Sequence, residues 1–164
     1  MKNVLKFNSS LQKGFTVIEF LLVMSLFSIL ISFVTMNLVN VQHTNYLATS
    51  LDLLLADLKE QQLKAMVGDA EGTGVPANYG IRFNSTTYTF FRNTYGTANF
   101  VNTLPTVVQV TTTFPSNEII FLKGSGEISS FASTSATITL RDIGSSSGQK
   151  VLTLNKYGVI TGIN

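Results

Sequence analysis

Cysteine is absent from the 164 residues, which excludes a disulfide framework and thiolate metal sites. The single histidine, His43, leaves a zinc or iron centre little to build from. Helix breakers are scarce where they would matter most. The first proline is Pro76, and no glycine falls between Gly14 and Gly68. Charge is scarce as well: Asp, Glu, Lys and Arg make up 12% of the chain, about half the ~25% of an ordinary soluble domain. Between Glu19 and Asp52 there is no formal charge at all.

The few charges are unevenly placed. Lys2, Lys6 and Lys13 occupy the N-terminal tip without an acidic residue among them. From Phe15 onward eight basic residues face nine acidic ones, and from Asp52 onward eight face eight. The net +2 is therefore a property of the tip. A polyanion-binding domain would carry its basic excess on the folded part.

Residues 15–36 are almost wholly Phe, Leu, Ile, Val and Met, with Ser25, Ser28, Ser32 and Thr35 scattered among them. A membrane-spanning helix needs about 20 apolar residues. Lysines ahead of such a run favour a cytoplasmic N-terminus, which places the remainder outside. Helical periodicity continues beyond it. Leu47, Leu51, Leu54, Leu55, Leu58 and Met66 recur every three or four residues among Asp52, Asp57, Lys59, Glu60 and Lys64. The spacing predicts one helix over residues 15–67, stopped by Gly68 in the left-handed C′ position. Residues 15–36 would be apolar all round, and 37–67 amphipathic, with Leu51, Leu55, Leu58 and Met66 on Ile81, Phe83, Ile120 and Leu140.

After Gly68 the period becomes that of strands. YGIRF (79–83), TYTFFR (87–92), TVVQVTTT (106–113), EIIFL (118–122), ATITLR (136–141), KVLTL (150–154) and YGVIT (157–161) are the expected strands. Residues 93–105 read as a connection. Helix first and strands after gives an α+β fold, a long N-terminal helix packed on an antiparallel β-rich domain over 68–164.

Signatures of catalysis are missing, so no enzyme is expected and no cofactor is implied. No G-x-S-x-G elbow occurs. The run from Gly144 to Lys150 has three residues between its glycines, whereas a Walker A loop has four and places Lys-Ser/Thr directly after the second. It reads as a hairpin turn. Asp69 and Glu71 are weak candidates for a calcium ion, which wants six to eight oxygen ligands; the plainer reading is a solvated loop. Arg82 and Arg92, among Tyr79, Phe83, Tyr88, Phe90 and Phe91, have the composition of a basic-aromatic platform for single-stranded nucleic acid. On a half-buried hairpin the same rings would be core.

One carboxylate, Glu19, stands near the start of the apolar run, where a charge costs about 2.5–3.5 kcal/mol at the helix centre. A secretory signal peptide would be shorter and followed by a small-residue cleavage site. A plain anchor would explain neither Gly14 nor Glu19.

Lys13-Gly14-Phe15-Thr16-Val17-Ile18-Glu19, followed by the apolar helix, closely resembles the class III leader of type IV filament subunits, the pilins and pseudopilins. The resemblance implies that prepilin peptidase removes residues 1–14 by cutting after Gly14 and methylates Phe15. It implies that Glu19 meets the N-terminal amine of a neighbouring pilin or pseudopilin subunit. Further implied partners are an inner-membrane assembly platform and, before assembly, membrane lipid. The implied location is the bacterial cytoplasmic membrane, single-pass, and then a periplasmic or cell-surface filament. Major pilins commonly carry a proline near the position of Met36; its absence favours a minor pilin or pseudopilin. LDLLLADLKEQQLKAM, ATITLRD and QKVLTLNKYGVIT resemble the pseudopilin H (GspH) and FimT-like subgroup. The implied role is a structural subunit of a type IV pilus or type II secretion-like filament. The alternative is a competence-type minor pilin that binds DNA.

Overall fold

The computed structural model describes residues 14–96, 100–129, 131–132, 136–144 and 148–164, without the side chains of residues 36–41, 43 and 44. Lys2, Lys6, Lys13 and the His43 side chain lie outside the described residues. The chain divides into two compact units, Met1–Val39 and Asn40–Asn164.

Helix α1 spans Val17–Val67 and ends where Gly68 adopts a left-handed φ of 66°. The Asp69 amide then donates to the Lys64 carbonyl at 2.9 Å, satisfying a terminal acceptor. In the first unit, residues Val17–Thr35 have a mean hydropathy of 2.5 and none is buried. That stretch is long and apolar enough to cross a membrane. Its hydroxyls turn inward on their own helix: Ser28 Oγ donates to the Met24 carbonyl at 2.9 Å, and Thr35 Oγ1 to that of Ile31 at 3.1 Å. This removes their cost in an apolar medium.

The second unit combines the rest of α1 with two four-stranded antiparallel sheets. Strands β1 (Tyr79–Phe83), β2 (Thr87–Arg92), β3 (Phe100–Thr103) and β5 (Glu118–Phe121) form the first, in the order β3-β2-β1-β5. Strands β4 (Val108–Thr112), β6 (Thr137–Asp142), β7 (Gln149–Leu154) and β8 (Ile160–Ile163) form the second, in the order β4-β6-β7-β8. The expected α+β fold is the observed one. β6 and β7 pair directly, with Arg141 opposite Gln149, across the segment read as a hairpin turn; residues 145–147 of it lie outside the described residues.

One core joins the helix to both sheets. Leu47, Leu51, Leu54, Leu58 and Ala65 are its helical contribution, with buried Gln61 completing the four-three spacing. This stripe corrects two expected contacts. Leu55 is only partly buried at its edge, and Met66 is 50% exposed because Ala65 takes the core position. On β5 the parity is shifted by one residue. Ile119 and Phe121 face the core, paired with Ile81 and Tyr79, so Ile120 is not the helix contact.

β3 is a further correction, since residues 93–105 read as a connection. Its four residues pair with β2, placing Thr103 opposite Thr87 and Phe100 opposite Phe90. Gln62 ties α1 to two turns. Its Nε2 donates to the Gly126 carbonyl at 3.1 Å and the Tyr157 carbonyl at 2.6 Å.

Candidate processing and assembly site

Gly14, Phe15 and Thr16 lead into α1 as non-helical backbone. Thr16 occupies the N-cap, and its carbonyl accepts the Phe20 amide at 3.1 Å. Glu19 is three residues on. Its Oε2 accepts the Thr16 backbone N–H at 2.9 Å and the Thr16 hydroxyl at 2.8 Å, while Thr16 Oγ1 accepts the Glu19 amide at 3.3 Å. This is a capping box, S/T-x-x-E, in which each residue satisfies donors of the other. The sequence reading gave Glu19 an intermolecular role and missed this local one. The signal was present as Thr16-Val17-Ile18-Glu19 directly before an apolar run. A carboxylate in the first turn also complements the positive end of the helix dipole.

Nothing among the described residues requires Gly14 to be glycine. Its φ lies outside the left-handed region, and a Cβ built on it meets nothing within 4 Å. Gly80 is the contrast: a Cβ there would lie 2.3 Å from the Phe91 ring. The fold therefore leaves Gly14 free to take a side chain. Phe15 is 80% exposed, so both sides of the Gly14–Phe15 bond are open.

The other candidates are held within the second unit. Asp69 Oδ1 accepts the Glu71 amide at 2.8 Å, and the Glu71 carboxylate pairs with Lys64 at 3.6 Å. Among the described residues, no three of His, Cys, Asp and Glu are grouped to hold a metal ion. Arg82 pairs with Glu118 at 3.1 Å and lies 4.2 Å over the Tyr95 ring. Arg92 donates to Thr73 Oγ1 and to the Val75 carbonyl. Arg92 stands opposite Tyr79 and Arg82 opposite Thr89, so the two arginines project from opposite faces of the first sheet. Tyr79, Phe83, Tyr88 and Phe91 are buried. The arginines and rings do not form one platform.

Residues 9–35 match the family described as the prokaryotic N-terminal methylation motif. No curated protein sequence matches the chain. Among solved structures, the minor pseudopilin EpsH from the type 2 secretion system of Vibrio cholerae is similar at 17% identity, with a TM-score of 0.50. The likeness covers 72% of this chain and 95% of that one. The resemblance carried by Lys13 to Glu19 is thus supported by a motif match at the N-terminus and by the fold of the remainder: the chain bears a prepilin-type methylation motif on an α+β fold like that of a pseudopilin H subunit.

Proposed function

We propose that this chain is a minor pilin or pseudopilin, a structural subunit of a type IV pilus or type II secretion-like filament. Residues 1–14 form a basic leader that prepilin peptidase removes after Gly14, and Phe15 is then N-methylated. Residues 15–36 hold the precursor in the cytoplasmic membrane with its N-terminus inside, and afterwards pack against other subunits in the filament core. Residues 37–67 carry the β-rich domain, 68–164, on the outer side. The inner-membrane platform is the partner that moves the subunit from bilayer to filament.

The observation that carries this reading is the open Gly14–Phe15 bond beside a capped apolar helix. A glycine that its own fold does not require fits a demand made by another protein, here a tight peptidase subsite. Cutting ahead of the apolar helix, rather than after it, leaves that helix on the mature chain for assembly. The capping box survives the cut, because its donors are the amide and hydroxyl of Thr16. Cleavage also creates an ammonium at Phe15, close to the positive end of the helix dipole, where a carboxylate partner is favourable. In a filament that partner is the Glu19 of a neighbouring subunit, since a buried ammonium and a buried carboxylate each offset the other's desolvation.

Intact mass and N-terminal sequencing of protein taken from membranes test the proposal. The expected product begins at N-methylated Phe15. A mature chain that begins at Met1, or beyond the apolar run, overturns it.

A further inference from the structure

A cleft of about 530 Å³ lies between the second half of α1 and the β2–β3 hairpin, wholly within the second unit. Asp57 stands in its wall and is 8% exposed. Its Oδ2 accepts the Tyr88 hydroxyl at 2.5 Å and the Asn102 side-chain amide at 3.0 Å. Both donors are neutral. Among the described residues Asp57 has no ion-pair partner, although two cations line the same cleft. Lys64 is taken by Glu60 at 3.0 Å and Glu71 at 3.6 Å. Arg92 donates to two neutral oxygens, Thr73 Oγ1 and the Val75 carbonyl, and among the described residues its Nε is buried without a partner. A carboxylate withdrawn from water is ordinarily paired with a cation.

The opposite wall is aromatic. Phe90 and Phe100 stack with their ring centroids 6.0 Å apart at 11°, and Phe100 stands 65% exposed at the mouth. The cleft is lined by three carboxylates, Asp57, Glu60 and Glu71, against two cations, Lys64 and Arg92, and Lys64 is already paired with Glu60 and Glu71, so an anion would meet net negative charge. An apolar group would leave Asp57 as it is. A cation on an apolar stem satisfies both walls, because such a stem packs along aromatic faces while its head pairs with the carboxylate.

We propose that this cleft receives a lysine or arginine side chain presented by another protein, with its charged head on Asp57 and its stem along Phe90 and Phe100. The inference goes beyond the filament role and does not depend on processing at Gly14.

The test uses the full chain, isotope-labelled in detergent, with acetyl-Leu-Arg-methylamide as the probe and its citrulline counterpart as the neutral control. The readout is the Asn102 side-chain amide signal. The arginine probe is expected to shift it saturably in the millimolar range, and the citrulline probe to bind at least about tenfold more weakly. Asp57→Asn keeps an acceptor for Tyr88 and should lose the same tenfold. Phe100→Ala changes an exposed ring and should weaken binding about threefold, a reading that stands if Asp57→Asn misfolds. Equal binding of the two probes, no saturable shift, or parental binding by a folded variant at either position overturns the proposal.

Discussion

Glu19 and Thr16 cap each other at the start of α1, with Glu19 Oε2 accepting both the amide and the hydroxyl of Thr16. The carboxylate therefore has a local task as well as the intermolecular one proposed for it, and substitution can separate the two. Gln serves the third helical position of a capping box as Glu does, but carries no charge. Val removes the charge and the carboxylate's half of the cap, and Thr16→Val removes the hydroxyl's half while keeping the charge. If pairing with a neighbour's amine is the main task, Glu19→Gln and Glu19→Val should both be depleted from sheared filaments. Removing one partner of a buried pair costs about 3–5 kcal/mol, against about 1 kcal/mol for a lost cap. Thr16→Val should then assemble near the parental level. Normal assembly of Glu19→Gln with failure of the other two would assign Glu19 to the cap alone. All variants are expected to remain in the membrane, measured by fractionation and immunoblotting.

Gly14→Leu should leave the fold untouched and block maturation. A Cβ at this position meets nothing within 4 Å, and the backbone is already one that any residue adopts. Intact mass should show the full precursor in the membrane fraction, with tyrosine-fluorescence unfolding matching that of unprocessed parent. A cut and methylated Gly14→Leu protein would show that no tight subsite reads this glycine.

Leu54 has no exposed surface, whereas Met66 is 50% exposed. Leu54→Ala should lower the stability of the β-rich unit by about 2–5 kcal/mol, as truncation of a buried leucine does. Met66→Ala should cost well under half as much. Denaturant titration of the detergent-solubilised chain, followed by tyrosine fluorescence, would check the contrast. Similar losses at the two positions would contradict the observed helix face.

Alkali should weaken the same unit before it affects the apolar helix. Burial, then the hydrogen bond to Asp57, raises the Tyr88 hydroxyl well above its ordinary value. Burial, then the Glu71 and Asp69 charges, raises Tyr79 in the same direction. A group whose folded pKa is raised stabilises fully below its unfolded value and loses that contribution as pH climbs. Denaturation midpoints should hold up to about pH 9 and fall progressively from about pH 10 upward. Tyr88→Phe should be less stable at neutral pH yet show a shallower alkaline fall. An identical fall in parent and variant would exclude Tyr88 as a source.

Local composition by itself determined the helix, its apolar and amphipathic parts, its stop at Gly68 and most strands. Each of these follows from short-range physics. A run without proline or glycine stays helical, a period of three and four leaves one face apolar, and β-branched alternation favours an extended chain. The N-terminal methylation motif was legible for a similar reason, since Gly14 and Glu19 stand out against the residues around them. Tertiary structure alone decided what depends on distant partners. Strand β3 exists because Phe100 and Asn102 meet Phe90 and Tyr88 across a register that no local pattern announces. The core stripe runs through Leu54 and Ala65, not Leu55 and Met66, because the sheets choose which side of a broad leucine face they cover. Arg82 and Arg92 read as neighbours in sequence but project from opposite faces of a sheet. Asp57 reads in sequence as one of the charges on an amphipathic helix, but β2 and β3 close over it and, among the described residues, leave its carboxylate without a cation.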